Sequence, residues 1–257
     1  MLQERRQAIL SKLEENGRVR VADLSEEMGC SEVTIRNDIR QMDKEGVLKR
    51  THGGAVRIEK SRERKYAAES IYRRTEQKIA IAACAYEYIE DRDTIIIDDA
   101  SSSFYLAEHI KVHPEKHLAI VTNSLLVGNE LAGVPHVELY LVGGTVGGLL
   151  AATMGDAAVH NISQFHVDKA FIGVHGINFD VGLTSIATPQ MQVKKAILRA
   201  AEEVYVLADS SKFSGGYLSV ICPLNRVHKI ITDNQVDKEY IRRAQHDQVP
   251  MVIAGMR

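Results

Sequence analysis

The 257-residue sequence predicts an α/β protein, an N-terminal winged helix-turn-helix followed by a larger α/β domain built on a parallel sheet. Three observations carry that expectation. Residues 21–42 read as two short amphipathic helices broken at Gly29, and a β-prone hairpin around Gly53-Gly54 follows directly. From Thr75 onward, short apolar runs alternate with helical segments, the pattern of a parallel sheet covered on both faces. Charge is also divided. Residues 1–65 hold 15 Lys and Arg against 12 Asp and Glu, a balance of +3, while the remainder holds 17 against 22, a balance of −5.

In the N-terminal part, a first helix is expected over 3–15, with Ile9, Leu10 and Leu13 apolar, and a second over 21–28. Ser31 is a natural N-cap for a third helix, because its hydroxyl can accept from a free N–H of the first turn. Ile35, Ile39 and Met42 recur at helical spacing and face inward. The opposite side shows Glu32, Thr34, Arg36, Asn37 and Arg40, side chains suited to phosphates and base edges. Lys49, Arg50, Thr51 and His52 near the hairpin tip add phosphate contacts. A helical hairpin that only packs would show the same Gly break, but the basic hairpin behind it favours a DNA reader whose third helix enters the major groove. A basic head on an acidic body suits phosphate contact by the head, and such binding falls steeply with salt.

Composition narrows the class. Hydrophobic residues make up 45% and charged residues 26%, ordinary values for a globular chain. No window approaches the roughly 18 apolar residues of a membrane span, and the start Met-Leu-Gln-Glu-Arg-Arg lacks the apolar core of a signal peptide. Cys30, Cys84 and Cys222 are odd in number and outside any ligand motif, so reduced thiols in a cytoplasm are expected, without disulfide or metal site.

The expected domains are 1–58, a linker over 59–74, and 75–257. In the last of these, a helix is expected over 75–90, with Ile79, Ala82, Ala83, Tyr86 and Ile89 on its inner side. Strands are expected at 94–97, 118–121, 137–142, 169–174, 204–208, 229–232 and 251–253, with helices at 103–110, 124–132, 188–201 and 237–246. Ligands of such sheets gather beyond the carboxyl ends of the strands, so the exits carry the chemistry. Asp98-Asp-Ala-Ser-Ser-Ser103 leads straight into a helix, where Ser101, Ser102 and Ser103 either cradle a phosphate or simply cap the helix. Thr122-Asn123-Ser124 is polar at the next exit, and Gly143-Gly144 open a Gly-rich turn that is no dinucleotide fingerprint. Lys194, on the 188–201 helix, and Lys212, after the 204–208 strand, are the candidate counter-charges. A rival reading, an aldose–ketose isomerase, would need Asp98, Asp99 or Asp209 as general base.

The run Val-Thr-Ile-Arg-Asn-Asp-Ile39 with the wing Leu-Lys-Arg-Thr-His-Gly-Gly-Ala55 resembles the DNA-binding domain of DeoR-type bacterial transcription regulators. Asp98–Ser103, Val121-Thr-Asn-Ser-Leu125, Leu141-Val-Gly-Gly-Thr145, Gly182-Leu-Thr184 and Leu207-Ala-Asp-Ser-Ser-Lys-Phe213 resemble, in the same order, their effector domain. The resemblance implies a fold akin to ribose-5-phosphate isomerase and CoA transferases. It also implies a phosphorylated-sugar effector held by Asp98, Ser101, Ser102, Ser103, Asn123, Ser124, Gly143, Gly144, Lys194 and Lys212. No cofactor is implied. The implied protein is a repressor of a carbohydrate-metabolism operon, a homo-oligomer (dimer or tetramer) on double-stranded operator DNA, with Ser31, Thr34, Arg36, Asn37, Arg40 and the wing residues as its DNA contacts. Two positions depart from the family pattern. His175 stands where an acidic residue is usual, and Gln190 where Glu often precedes the helix lysine, so His175 joins the candidate pocket with its role open.

Overall fold

The computed structural model describes residues 2–44, 48–56, 71–147, 150–186, 188–213, 215–217 and 219–255. The chain divides into two compact units, Met1–Lys65 and Tyr66–Arg257. The expected linker over 59–74 lies mostly outside the described residues.

In the first unit, α1 (Leu2–Asn16), α2 (Val21–Glu27) and α3 (Glu32–Lys44) surround a small core of Ile9, Leu13, Leu24, Ile35, Ile39, Met42 and Leu48. Gly29 takes φ +60°, a left-handed turn that a side chain would resist, and thereby sets α2 against α3. Ser31 caps α3 as expected, accepting from Thr34 N at 3.2 Å. Three short strands, β1 (Arg18–Arg20), β2 (Lys49–Arg50) and β3 (Gly54–Val56), form an antiparallel sheet in the order β1-β3-β2. The wing is therefore a hairpin backed by a third strand that the sequence reading missed. Gly54 is required there, since a Cβ would lie 1.9 Å from Val19 O.

The second unit opens with α4 (Thr75–Tyr86) and continues β4 (Thr94–Ile97), α5 (Ser101–Val112), β5 (Leu118–Thr122), α6 (Leu125–Leu131) and β6 (Val137–Leu141). After the antiparallel pair β7 (Thr145–Gly147) and β8 (Ala152–Met154) come α7 (Gly155–Ile162), β9 (Val167–Gly173), β10 (Gly176–Asn178) and β11 (Gly182–Ser185). The chain ends with α8 (Thr188–Ala200), β12 (Ala201–Leu207), β13 (Ser219–Cys222), β14 (Lys229–Thr232), α9 (Lys238–His246) and β15 (Met251–Ile253). Seven of these strands form one sheet, ordered β15-β14-β12-β9-β4-β5-β6 and parallel at every pairing. A small antiparallel sheet, β10-β11-β13, stands apart.

Both faces of the central strands are buried, which explains their apolar runs, while the edge strand β6 is largely exposed. Along β4, Ile95 and Ile97 enter one core with α4, α5 and α6, while Ile96 enters the other with α7 and α8. One expectation is corrected on α4. Ile79 is 51% exposed, whereas Lys78 is buried because its ammonium donates to Ile71 O at 3.2 Å. The strand order places a topological switch point between β4 and β9. The chain winds outward through β5 and β6 on one side, then returns to β9 and winds the other way. Ligand crevices form at such points.

Candidate functional site

Asp98 leaves the end of β4 at that switch point and is fully buried. Its Oδ1 accepts from Ala100 N at 3.0 Å and Ser103 Oγ at 2.5 Å. Its Oδ2 accepts from Gly173 N at 3.0 Å and from Lys194 Nζ. Gly173 allows this approach, since a Cβ there would lie 2.2 Å from that of Ala100. One carboxylate thus ties together β4, α5, β9 and α8. Lys194 Nζ also lies 3.8 Å from Asp99 Oδ1. Burial opposes the Lys194 charge, but Asp98 and Asp99 outweigh it and hold its pKa above the usual lysine value. Burial, with Asp98 adding to it and Lys194 opposing, pushes Asp99 above the usual carboxylate range.

The cradle expected over Ser101–Ser103 is split in its roles. Ser103 is committed to Asp98, while the backbone N–H groups of Ser101, Ser102 and Ser103 have no acceptor among the described residues. Free N–H groups at the start of the 12-residue α5 favour an anion, with the helix dipole acting in the same direction. Lys194 does not supply the uncompensated charge expected of it, because Asp98 neutralises it. Lys212, half-buried in the 210–212 turn, has no carboxylate partner among the described residues. Its field reaches His175, whose ring is 3.3 Å from Ser185 Oγ through Nδ1. Burial, then Lys194 and Lys212, lower His175 to about 4, so the imidazole is neutral near pH 7.

Asn123, at the β5 exit, is buried, with Nδ2 3.4 Å from Thr153 O and Oδ1 unpartnered among the described residues. Ser124 caps α6, accepting from Val127 N at 3.3 Å. Gly143 and Gly144 are exposed and connect to this group only indirectly, through Thr153, whose hydroxyl donates to Val142 O at 2.8 Å and Asn123 O at 3.3 Å. Gln190 Nε2 donates to Asp99 Oδ2 at 3.3 Å. The structure therefore joins Asp98, Ser103 and Lys194 by direct bonds and sets Asp99, Ser101, Ser102 and Asn123 around them. A separate cavity of about 620 Å³, lined by Phe179, Tyr240 and Arg243, shares no residue with this group.

On the first unit, Thr34 is half-buried while Ser31, Arg36, Asn37 and Arg40 are exposed along α3, as are Lys49, Arg50, Thr51 and His52 on the wing. Arg36 Nη2 donates to Glu32 at 2.8 Å, and Arg40 Nη1 to Asn37 Oδ1 at 3.5 Å, so both guanidiniums are aligned along the helix surface. Two bonds brace the reading surface from behind. Arg5 Nε donates to Asp38 at 2.5 Å, joining α1 to α3, and Arg50 N donates to Asp43 at 2.9 Å, joining the wing to α3.

Residues 5–61 match the family described as DeoR-like helix-turn-helix domain, and residues 73–234 match DeoR C terminal sensor domain. The chain belongs to the DeoR family. It is 30% identical over 259 residues to the putative aga operon transcriptional repressor of Escherichia coli O157:H7, spanning 98% of this chain and 94% of that one. It is likewise 30% identical over 234 residues to the lactose phosphotransferase system repressor of Staphylococcus epidermidis, spanning 90% and 92%. Among solved structures, ribose 5-phosphate isomerase A from Methanocaldococcus jannaschii aligns at 17% identity over 54% of each chain, with a TM-score of 0.40, too distant a likeness to argue from.

A DeoR-family chain is a DNA-binding transcription regulator with a C-terminal sensor unit. The isomerase reading is not favoured. A general base needs a free lone pair within reach of a substrate proton. Four donors occupy Asp98 and leave it no such lone pair, whereas Asp99 and the second oxygen of Asp209 are less committed. It is therefore the match to a regulator family that sets the isomerase reading aside. No helix among the described residues is long and apolar enough to cross a membrane, and no group of side chains among them is arranged to hold a metal ion. Sequence reasoning missed Ser185 beside His175, Val33, which is 66% exposed on α3, and Arg74 and Lys78 near the 210–212 turn. Lys78 carried a signal, a lysine inside an otherwise apolar helical stretch. Arg74 carried none.

Proposed function

We propose that this DeoR-family regulator is a repressor of a carbohydrate-metabolism operon, relieved by a phosphorylated sugar bound at the exits of β4, β5, β9 and β12. The observation that carries the reading is the trio of N–H groups at the start of α5 that lack an acceptor among the described residues, at the switch point where ligands of such sheets gather. Lys212, after the neighbouring exit of β12, lacks a carboxylate partner among the same residues. The relatives named above as the aga operon and lactose phosphotransferase system repressors support a carbohydrate setting. In this reading Ser101, Ser102 and the N–H groups take the phosphate, Lys212 balances it, and Asn123 and His175 meet the sugar hydroxyls. Lys194 holds Asp98, and Ser103, Ser124, Gly143 and Gly144 shape the crevice. Thr34, Arg36, Asn37 and Arg40 read the major groove with Val33 against a thymine methyl, while Ser31 fixes the start of α3 and Lys49 to His52 track phosphates. The regulator is a cytoplasmic homo-oligomer that binds paired half-sites.

The test is a thermal-shift screen of the full chain against pentose and hexose phosphates, each beside its unphosphorylated sugar. A ligand at 100 times its Kd stabilises by about 2.7 kcal/mol. One phosphosugar should raise the melting temperature and release the operator, and its parent sugar should do neither. If no phosphosugar shifts melting, the reading is wrong.

A further inference from the structure

The anion site and the root of the second unit share their supports. Ile71 O accepts from Tyr105 OH at 3.1 Å and from Lys78 Nζ at 3.2 Å. Arg74 Nη1 donates to Ser210 Oγ at 2.8 Å and to Gln235 Oε1 at 3.3 Å, and its Nε lies 3.6 Å from Asp209 Oδ1. Arg74 also takes φ 55°, a left-handed conformation that a residue other than glycine keeps when its surroundings hold it. Tyr105 lies one turn into α5, the helix whose first N–H groups lack an acceptor among the described residues, and Ser210 and Asp209 start the turn that carries Lys212.

From these contacts we infer that residues 71–74 form a grip through which occupancy of the anion site is passed to the chain segment leading to the DNA-binding unit. The inference rests on the sugar-phosphate reading above and names its regulation. An anion between the start of α5 and Lys212 draws those two elements together. Each holds the root by a bond of its own, Tyr105 to Ile71 and Ser210 to Arg74, so the root cannot stay as it was when their spacing changes. Lys78 responds as well. Burial lowers it to about 8, with Asp209 opposing and Lys212 adding to the shift. An anion on Lys212 offsets that repulsion and strengthens the hold of Lys78 on Ile71 O.

Hydrogen exchange on the full chain tests this, with inorganic phosphate as the probe and sodium chloride of matched ionic strength as control. In the parent, phosphate should slow exchange at the amides of 101–103 and also, by about threefold or more, at 74–78. Arg74→Met and, separately, Ser210→Ala should keep the protection at 101–103 and lose it at 74–78. Protection at 101–103 with no change at 74–78 in the parent overturns the grip alone. Protection at 74–78 that survives in both variants also overturns it. No protection at 101–103 overturns the grip together with the sugar-phosphate reading beneath it.

Discussion

Replacing Asp98 by Asn separates a structural role for Lys194 from a ligand-binding one. The two carboxylate oxygens of Asp98 face four donors, Ala100 N and Ser103 Oγ on one and Gly173 N and Lys194 Nζ on the other. An amide offers one oxygen and one NH₂, so in either orientation two donors meet a donor. Leaving buried donors unpaired costs about 1–3 kcal/mol each. Removing one partner of a buried ion pair costs about 3–5 kcal/mol. These costs overlap, and Asp99 at 3.8 Å returns a little, so about 4 kcal/mol is expected for Asp98→Asn. In a unit of this size that lowers Tm by roughly 8–16 °C. Calorimetry of the full chain, following the transition of the second unit, measures it. The double variant Asp98→Asn with Lys194→Met removes the stranded ammonium and should recover at least about 1.5 kcal/mol relative to additivity. A loss below about 1 kcal/mol in the single variant, or a strictly additive cycle, refutes the reasoning and returns Lys194 to the effector as a free cation.

Three further outcomes are expected. Arg36→Ala and Arg40→Ala should each weaken operator binding in a mobility-shift assay by about 1–3 kcal/mol while the second unit melts unchanged, and undiminished affinity in both rules out α3 as the reading helix. Gly54→Ala puts a Cβ 1.9 Å from Val19 O, so the first unit should lose at least about 2 kcal/mol in chemical unfolding, and an unchanged midpoint contradicts the close approach of β3 to β1. His175 sits at about 4 in the folded chain against about 6.5 unfolded, so the unfolded state takes up the proton first as pH falls. Its contribution is intact above about 6.5 and is lost through the window down to 4, by about 1–3 kcal/mol, and His175→Gln should flatten that part of the stability–pH curve.

The parts of the fold that were legible are those governed by local rules. Ser31, Gly29 and the spacing of Ile35, Ile39 and Met42 fix α3 from within a dozen residues. The central strands of the large sheet announce themselves because both of their faces are buried, so an apolar run such as Ile95–Ile97 or Ala170–Ile172 is hardly interrupted. Short strands were missed for the opposite reason. In β1 a single valine sits between two arginines, and its pairing with β3 supplies a strand character that three residues cannot. On α4 the inner face was misplaced because a lysine normally points outward, and contacts such as those to Ile71 O and the ring of Tyr105 make its burial tolerable. At the candidate site, the residue types were legible at each strand exit, but the pairing of Asp98 with Lys194 was not. They lie far apart in sequence, and meet only because β4 and β9 are neighbours and α8 packs across them.

If the proposed effector binds here, that pairing divides the site into a rigid side and a loose one. Asp98 has every oxygen engaged by strands and helices that are themselves packed into both cores, so this side of the crevice is preorganised and does not yield when an anion arrives. The other side is a three-residue turn, 210–212, whose lysine lacks a carboxylate partner among the described residues and whose first serine accepts from Arg74. A charge without a counter-charge is the group that gains most from an incoming phosphate, and a short turn moves at less cost than a strand. On the proposed reading, binding free energy would be set largely by the rigid side and spent as displacement of the loose one, which holds Arg74 at the start of the second unit.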